Sequence, residues 1–171
     1  MEDELYGMVR GLFNREDGQS LFSQPEELTD ECYLAARAVT LVLLNKHLKK
    51  KLKWDDMNKH KFTPIMYMAN IWGLQIYLKQ MAMGGVYLSP ACYTDNKRVK
   101  EASQATIRKL AEPADIDRVA EAVMDRFTGY MMPALKDTGL KISKRIFKRL
   151  LEANIRWGYE FGREIEKGTR Q

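Results

Sequence analysis

Cysteine, histidine and proline are scarce in this chain of 171 residues, which has two Cys, two His and five Pro. Cys32 and Cys92 form no CxxC pair, so neither a disulfide framework nor a zinc knuckle organises the fold, and free thiols fit a reducing compartment. His47 and His60 lie outside any HExxH frame, and no metal or cofactor is expected. Gly84-Gly85 lacks the Lys-Ser/Thr that follows a phosphate-binding loop. The longest apolar body is interrupted by Arg37 and is too short to cross a bilayer, so no membrane role is expected. Residues 1–5 are acidic, the wrong sign for a secretory leader, which makes the expected location cytoplasmic. Cys32 falls at the start of a core helix and Cys92 has no base beside it, which leaves no nucleophile. Asp55-Asp56 suits a helix cap better than an acid/base pair. No enzyme activity and no small-molecule substrate are expected.

What is present is helical punctuation. Thr29, followed by Asp30 and Glu31, has the form of a cap and acidic first turn, and a dense apolar run follows to Leu44. A helix apolar on nearly every side belongs at the centre of a core, and this one ends in Lys46, Lys49, Lys50, Lys51 and Lys53. Thr63-Pro64 opens a second buried helix that Gly84-Gly85 closes. Further helices are expected from Thr94-Asp95 (Val99, Ala102, Ile107 and Leu110 inward), from Asp115 or Asp117, and from Ser143 to Lys167 with Gly168 as the stop. An N-terminal helix places Leu5, Met8, Val9, Leu12 and Phe13 on one face. Residues 86–93 are the least helical stretch, expected to be either an ordered loop pinned by Tyr87 and Tyr93 or a short extended piece. Gly158 and Gly162, four apart, mark a strip where a neighbouring helix can come close. The fold expected is an all-α, single-domain bundle of five to six helices: residues 1–28 form an acidic N-terminal arm with one helix, and 29–171 a basic helical bundle.

Charge is unevenly divided. Residues 1–31 hold nine acidic and two basic side chains, whereas residues 32–171 hold 26 basic and 14 acidic. Basic groups gather at 46–61, 97–109 and 136–149. In the third, Lys144, Arg145, Lys148 and Arg149 recur at i, i+1, i+4 and i+5 and so form one stripe on a helix. Aromatic residues accompany these groups: Trp54 and Phe62 with the first, Trp157 and Tyr159 after the third. Positive lining with stacking rings suits the backbone of a nucleic-acid strand, and no base-reading motif is present. The expected nucleic-acid-binding residues are Lys46, Lys49, Lys50, Lys53, Lys144, Arg145, Lys148 and Arg149, with an RNA or DNA backbone as partner.

The Pro-led apolar helix Thr63-Pro64-Ile65-Met66 and the closing run Trp157-Gly158-Tyr159-Glu160-Phe161-Gly162-Arg163 resemble the small subunits of CRISPR RNA-guided effector complexes. The likeness spans about residues 64–168 as a pattern, and it leaves out the acidic start and the Lys46–Lys53 run. It implies a non-catalytic subunit that braces RNA or DNA strands beside the protein subunits of a larger complex, and it names no functional residue. The alternative is a phage-type inhibitor that binds a host or defence protein.

Overall fold

The computed structural model describes residues 1–13, 26–48, 62–89, 92, 95–109, 115–139 and 141–169. They form six α-helices: α1 (Glu2–Phe13), α2 (Glu26–Leu48), α3 (Phe62–Met83), α4 (Asn96–Lys109), α5 (Arg118–Met131) and α6 (Lys144–Thr169). A 3-10 turn, Met132–Asp137, follows α5, with Pro133 in its first turn where no amide donor is needed. No strand occurs among the described residues, and the chain is an all-α bundle.

The centre is the pair α3 and α6, not α2. Contacts run in step along both helices: Phe62 meets Phe147 (ring centroids 6.2 Å apart), Asn154 approaches Met66 Sδ at 3.4 Å, and Tyr77 reaches Glu166. The two helices therefore lie parallel. Their backbones nearly touch. A Cβ on Gly158 would fall 1.9 Å from the carbonyl oxygen of Asn70, and one on Gly73 would fall 1.8 Å from that of Ile155. Gly162 packs against the Tyr77 ring. The strip expected at Gly158 and Gly162 thus receives α3, and Gly73 answers it from the other side.

Two apolar clusters flank this pair. On one side α1 and α5 contribute Leu5, Val9, Val123, Met124 and Phe127, joined by Leu44 from the end of α2. On the other, α2 and α4 contribute Cys32, Ala35, Val39, Val99 and Ala102 against Trp157, Phe161 and Ile165. Helix α2 keeps one face open, with Leu34 50% and Val42 68% exposed. Dense apolar sequence marked it as central; α3, buried on all sides from Ala69 to Tyr77, holds that place.

Most helix ends follow local chemistry. Asp95 Oδ1 accepts from the Lys97 and Arg98 amides at 3.0 and 3.3 Å, and Asp117 Oδ1 accepts from those of Val119 and Ala120 at 2.9 and 3.4 Å. Ser143 Oγ accepts from the Ile146 amide at 3.2 Å. Gly85, at φ 84°, ends α3: its amide donates to Ala82, and that of Val86 to Met81 at 2.9 Å.

Other expectations need correction. Helix α2 begins at Glu26, so Thr29 lies inside it rather than at its cap. Thr63 Oγ1 is buried without a hydrogen-bond partner among the described residues, so it is no cap either. Met8 and Ile107 are exposed; the inward stripe of α4 is Val99, Ala102, Ser103 and Thr106, the last satisfied by donating to Ala102 O at 2.7 Å. Tyr87, 79% exposed, pins nothing. Helix α6 continues through Gly168 to Thr169.

The N-terminal acids engage the body. Asp3 accepts from Arg126 at 2.8 Å, and the Arg126 guanidinium lies 3.7 Å from the centre of the Tyr6 ring. At the far end of α6, Glu164 binds both Lys109 and Lys167. Burial raises the affinity of the Glu164 carboxyl for its proton, but the two lysines outweigh this and hold it below the ordinary value. A depressed carboxyl stabilises the fold above its unfolded pKa of about 4.3, and this is lost as pH falls through the folded value. Glu164→Gln should therefore lower stability by about 1 kcal/mol at neutral pH, discounted for the half-exposed Lys109, and the difference should close below about pH 4. Urea melts across that range check it.

Candidate nucleic-acid interface

Three helix ends meet at one pole of the bundle. The pairing of Phe62 with Phe147 sets the N-termini of α3 and α6 side by side. Helix α2 runs the other way: Cys32 and Ala35 cluster with Phe161 and Ile165, Thr40 accepts from Asn154 Nδ2 at 3.0 Å, and Leu44 joins Phe147 and Leu150. Its C-terminal end, with exposed Lys46, therefore reaches the level where α6 begins.

There Lys144, Arg145, Lys148 and Arg149 are all exposed, while Phe147, Leu150 and Leu151 of the same turns are buried. The buried face fixes the helix and leaves the cations on a rigid frame. Lys148 lies 3.9 Å from Glu152, a solvent-exposed pair that holds it weakly. Lys136 and Lys141, also exposed, extend the patch along the approach to α6. Lys49, Lys50 and Lys53 lie outside the described residues.

Charge at this pole runs against the helix dipole, as it also does at the start of α4, where Lys97 and Arg98 follow the Asp95 cap. A helix N-terminus carries about half a positive charge and is stabilised by acids in its first turn. Helix α1 obeys this with Glu2, Asp3 and Glu4, and α5 with Glu121 behind its Asp117 cap. Helices α3 and α6 have no acid in their first turns, and α6 opens on Lys144 and Arg145. Basic side chains at this end cost about 0.3–1 kcal/mol each, so the pole concentrates positive potential at some expense to the fold.

The structure does not bring all the basic residues together. Lys109 is held by Glu164, near the opposite end of α6. From Arg149 to Glu164 the helix rises about 22 Å, so the Lys97–Lys109 group is separate from the pole. Trp54 lies outside the described residues; the other aromatics that accompany the basic runs, Phe62, Trp157 and Tyr159, are buried core residues. They pack helices and do not stack on bases. An exposed ring that the sequence pattern did not single out is Tyr130, in the last turn of α5, with the Arg10 guanidinium 5.4 Å from its centre. It precedes the segment that carries Lys136 and Lys141. Its position at the edge of α1 is tertiary information that no local spacing carries.

Among the described residues no group of three or more His, Cys, Asp or Glu could hold a metal ion, and no helix is long and apolar enough to cross a membrane. The Cys32 thiol is fully buried; burial first, then the Glu31 charge, push its pKa well up, so it packs rather than reacts. No family model matches the chain, and neither a curated protein nor a solved structure does.

Proposed function

We propose that the chain is a non-catalytic nucleic-acid-binding subunit that braces RNA or DNA through the basic pole of the bundle, beside the protein subunits of a larger assembly. The observation that carries this reading is the opening of α6, where four exposed cations lie on the first two turns, two of them at the positive end of the helix dipole with no acid beside them. A bound phosphate would relieve that arrangement and gain from both the side chains and the dipole. Lys46 and the acid-free N-terminus of α3 add to the same potential. The absence of a base-reading motif in the sequence points to contact with the backbone rather than recognition of bases. The assembly that the sequence resemblance suggests is an RNA-guided effector complex.

Fluorescence anisotropy with short RNA and DNA oligomers over a range of salt tests the proposal. With about five phosphates neutralised on a single strand, log K should fall against log salt with a slope of about −3.5. Replacing Lys144, Arg145, Lys148 and Arg149 together by Glu should flatten the slope to about −0.7 or nearer zero and weaken unrelated sequences alike. Wild-type protein with no salt-sensitive binding would remove this reading and favour the protein-directed inhibitor. Truncating the acidic N-terminus is an unsuitable control, because Leu5 and Val9 of α1 belong to the core.

A further inference from the structure

Helix α2 presents a regular ridge to solvent. Between Asp30 and Lys46 its exposed residues are Asp30, Leu34, Ala38, Val42 and Lys46, one at every fourth position. The ridge winds about 40° around the helix at each step, and the buried residues Cys32, Ala36, Val39 and Thr40 lie away from it. Two of the five are large apolar side chains, Leu34 at 50% and Val42 at 68% exposure, separated by a single small one. The order is acid, apolar, Ala, apolar, base, and it is symmetric about Ala38. Laid antiparallel on a copy of itself, the ridge sets Asp30 opposite Lys46, Leu34 opposite Val42 and Ala38 opposite Ala38.

We propose that this ridge is a self-association surface on which two copies of the chain pair their α2 helices antiparallel about a two-fold axis at Ala38. The occupant is a second copy because the ridge is its own complement in both size and charge. A two-fold contact brings i to j and j to i, so the Asp30–Lys46 and Leu34–Val42 pairs each form twice. A parallel arrangement would set Asp30 against Asp30 and Lys46 against Lys46, so like charges reject it. Ala38 at the crossing point lets the backbones approach, and Leu34 and Val42 fill the space on either side. Asp30 and Lys46 sit at the rim, where they set orientation more than affinity. One helix face is small beside the roughly 1,200–2,000 Å² of a standard interface, so the association is concentration-dependent. The pairing does not rest on nucleic-acid binding, and it is measured in nucleic acid's absence.

Sedimentation velocity on the full chain, freed of nucleic acid and run from low to high micromolar concentration, decides it. The expected mass rises from 19.9 kDa toward twice that value. Ala38→Arg, at an exposed helical position, should retain the wild-type circular dichroism and remain a monomer throughout. Asp30→Lys should move the midpoint several-fold higher in concentration, and adding Lys46→Asp to it should bring the midpoint back. That reciprocal rescue is particular to the antiparallel register. A wild-type protein that stays at 19.9 kDa overturns the proposal. So does association that survives Ala38→Arg, or a double variant that fails to recover.

Discussion

Gly158→Ala should destabilise the protein by on the order of 3 kcal/mol or more, although alanine favours a helix over glycine by about 1 kcal/mol. The added methyl would meet Asn70 O at 1.9 Å and Leu74 N at 2.8 Å, both backbone atoms of α3 that no rotamer change can move. Relief requires α3 and α6 to separate, and that separation loosens both apolar clusters at once. Gly73→Ala should behave alike, since its obstacle is the Ile155 backbone. Gly162→Ala should cost less, because the obstacle there is the Tyr77 side chain, which can shift. Gly129→Ala, at a helical position with nothing within 4 Å, should stabilise by about 0.5–1 kcal/mol. Urea midpoints should therefore fall in the order Gly129→Ala, wild type, Gly162→Ala, Gly158→Ala. A Gly158→Ala midpoint at or above wild type would show that the helices do not approach as described.

These glycines also show what a sequence can and cannot reveal. Gly158 and Gly162 were legible because two glycines one turn apart on a helix leave a visible strip. Gly73 was not, because a single glycine in an apolar helix gains its meaning only from the helix across from it. Caps were legible for the same local reason: Asp95, Asp117, Ser143 and Gly85 act on amides and carbonyls within a few residues. Thr63 has the same chemistry at a similar place and yet is buried without a partner, since its surroundings are set by tertiary packing.

The misplacement of the centre has a similar origin. Apolar density alone put α2 in the middle of the core, but density does not say which neighbours exist. Chain direction decides it: α3 and α6 run parallel and close, and α2 lies antiparallel on one side with Leu34 and Val42 left outside. The same directions bring Lys46 to the level of the α6 stripe. Spacing alone gave Lys144, Arg145, Lys148 and Arg149 as one stripe. Its meeting with the end of α2 needed the register through Thr40 and Asn154.

That register residue carries the second large effect. Asn154 is buried where α2, α3 and α6 meet; its Nδ2 donates to Thr40 Oγ1 at 3.0 Å and to Leu150 O at 2.9 Å, and lies 3.4 Å from Met66 Sδ. Asn154→Asp keeps the shape and removes the donor. An ionised carboxylate there would face the Leu150 carbonyl and the Met66 sulfur, at a cost of about 3 kcal/mol or more at neutral pH. Burial raises the folded pKa of such an acid above the ordinary Asp value of about 3.9, so the folded state binds the proton more tightly than the unfolded chain. Stability of the variant should then fall as pH rises from about 4, because between the two pKa values unfolding releases a proton. At pH 4 the protonated carboxyl can donate to Leu150 O again, and the gap to wild type should narrow by at least half. Thermal melts of both proteins from pH 4 to pH 8 measure it. A gap that stays constant across that range would mean that the new carboxylate has reached water or a cation, and that the junction of the three helices is not dry.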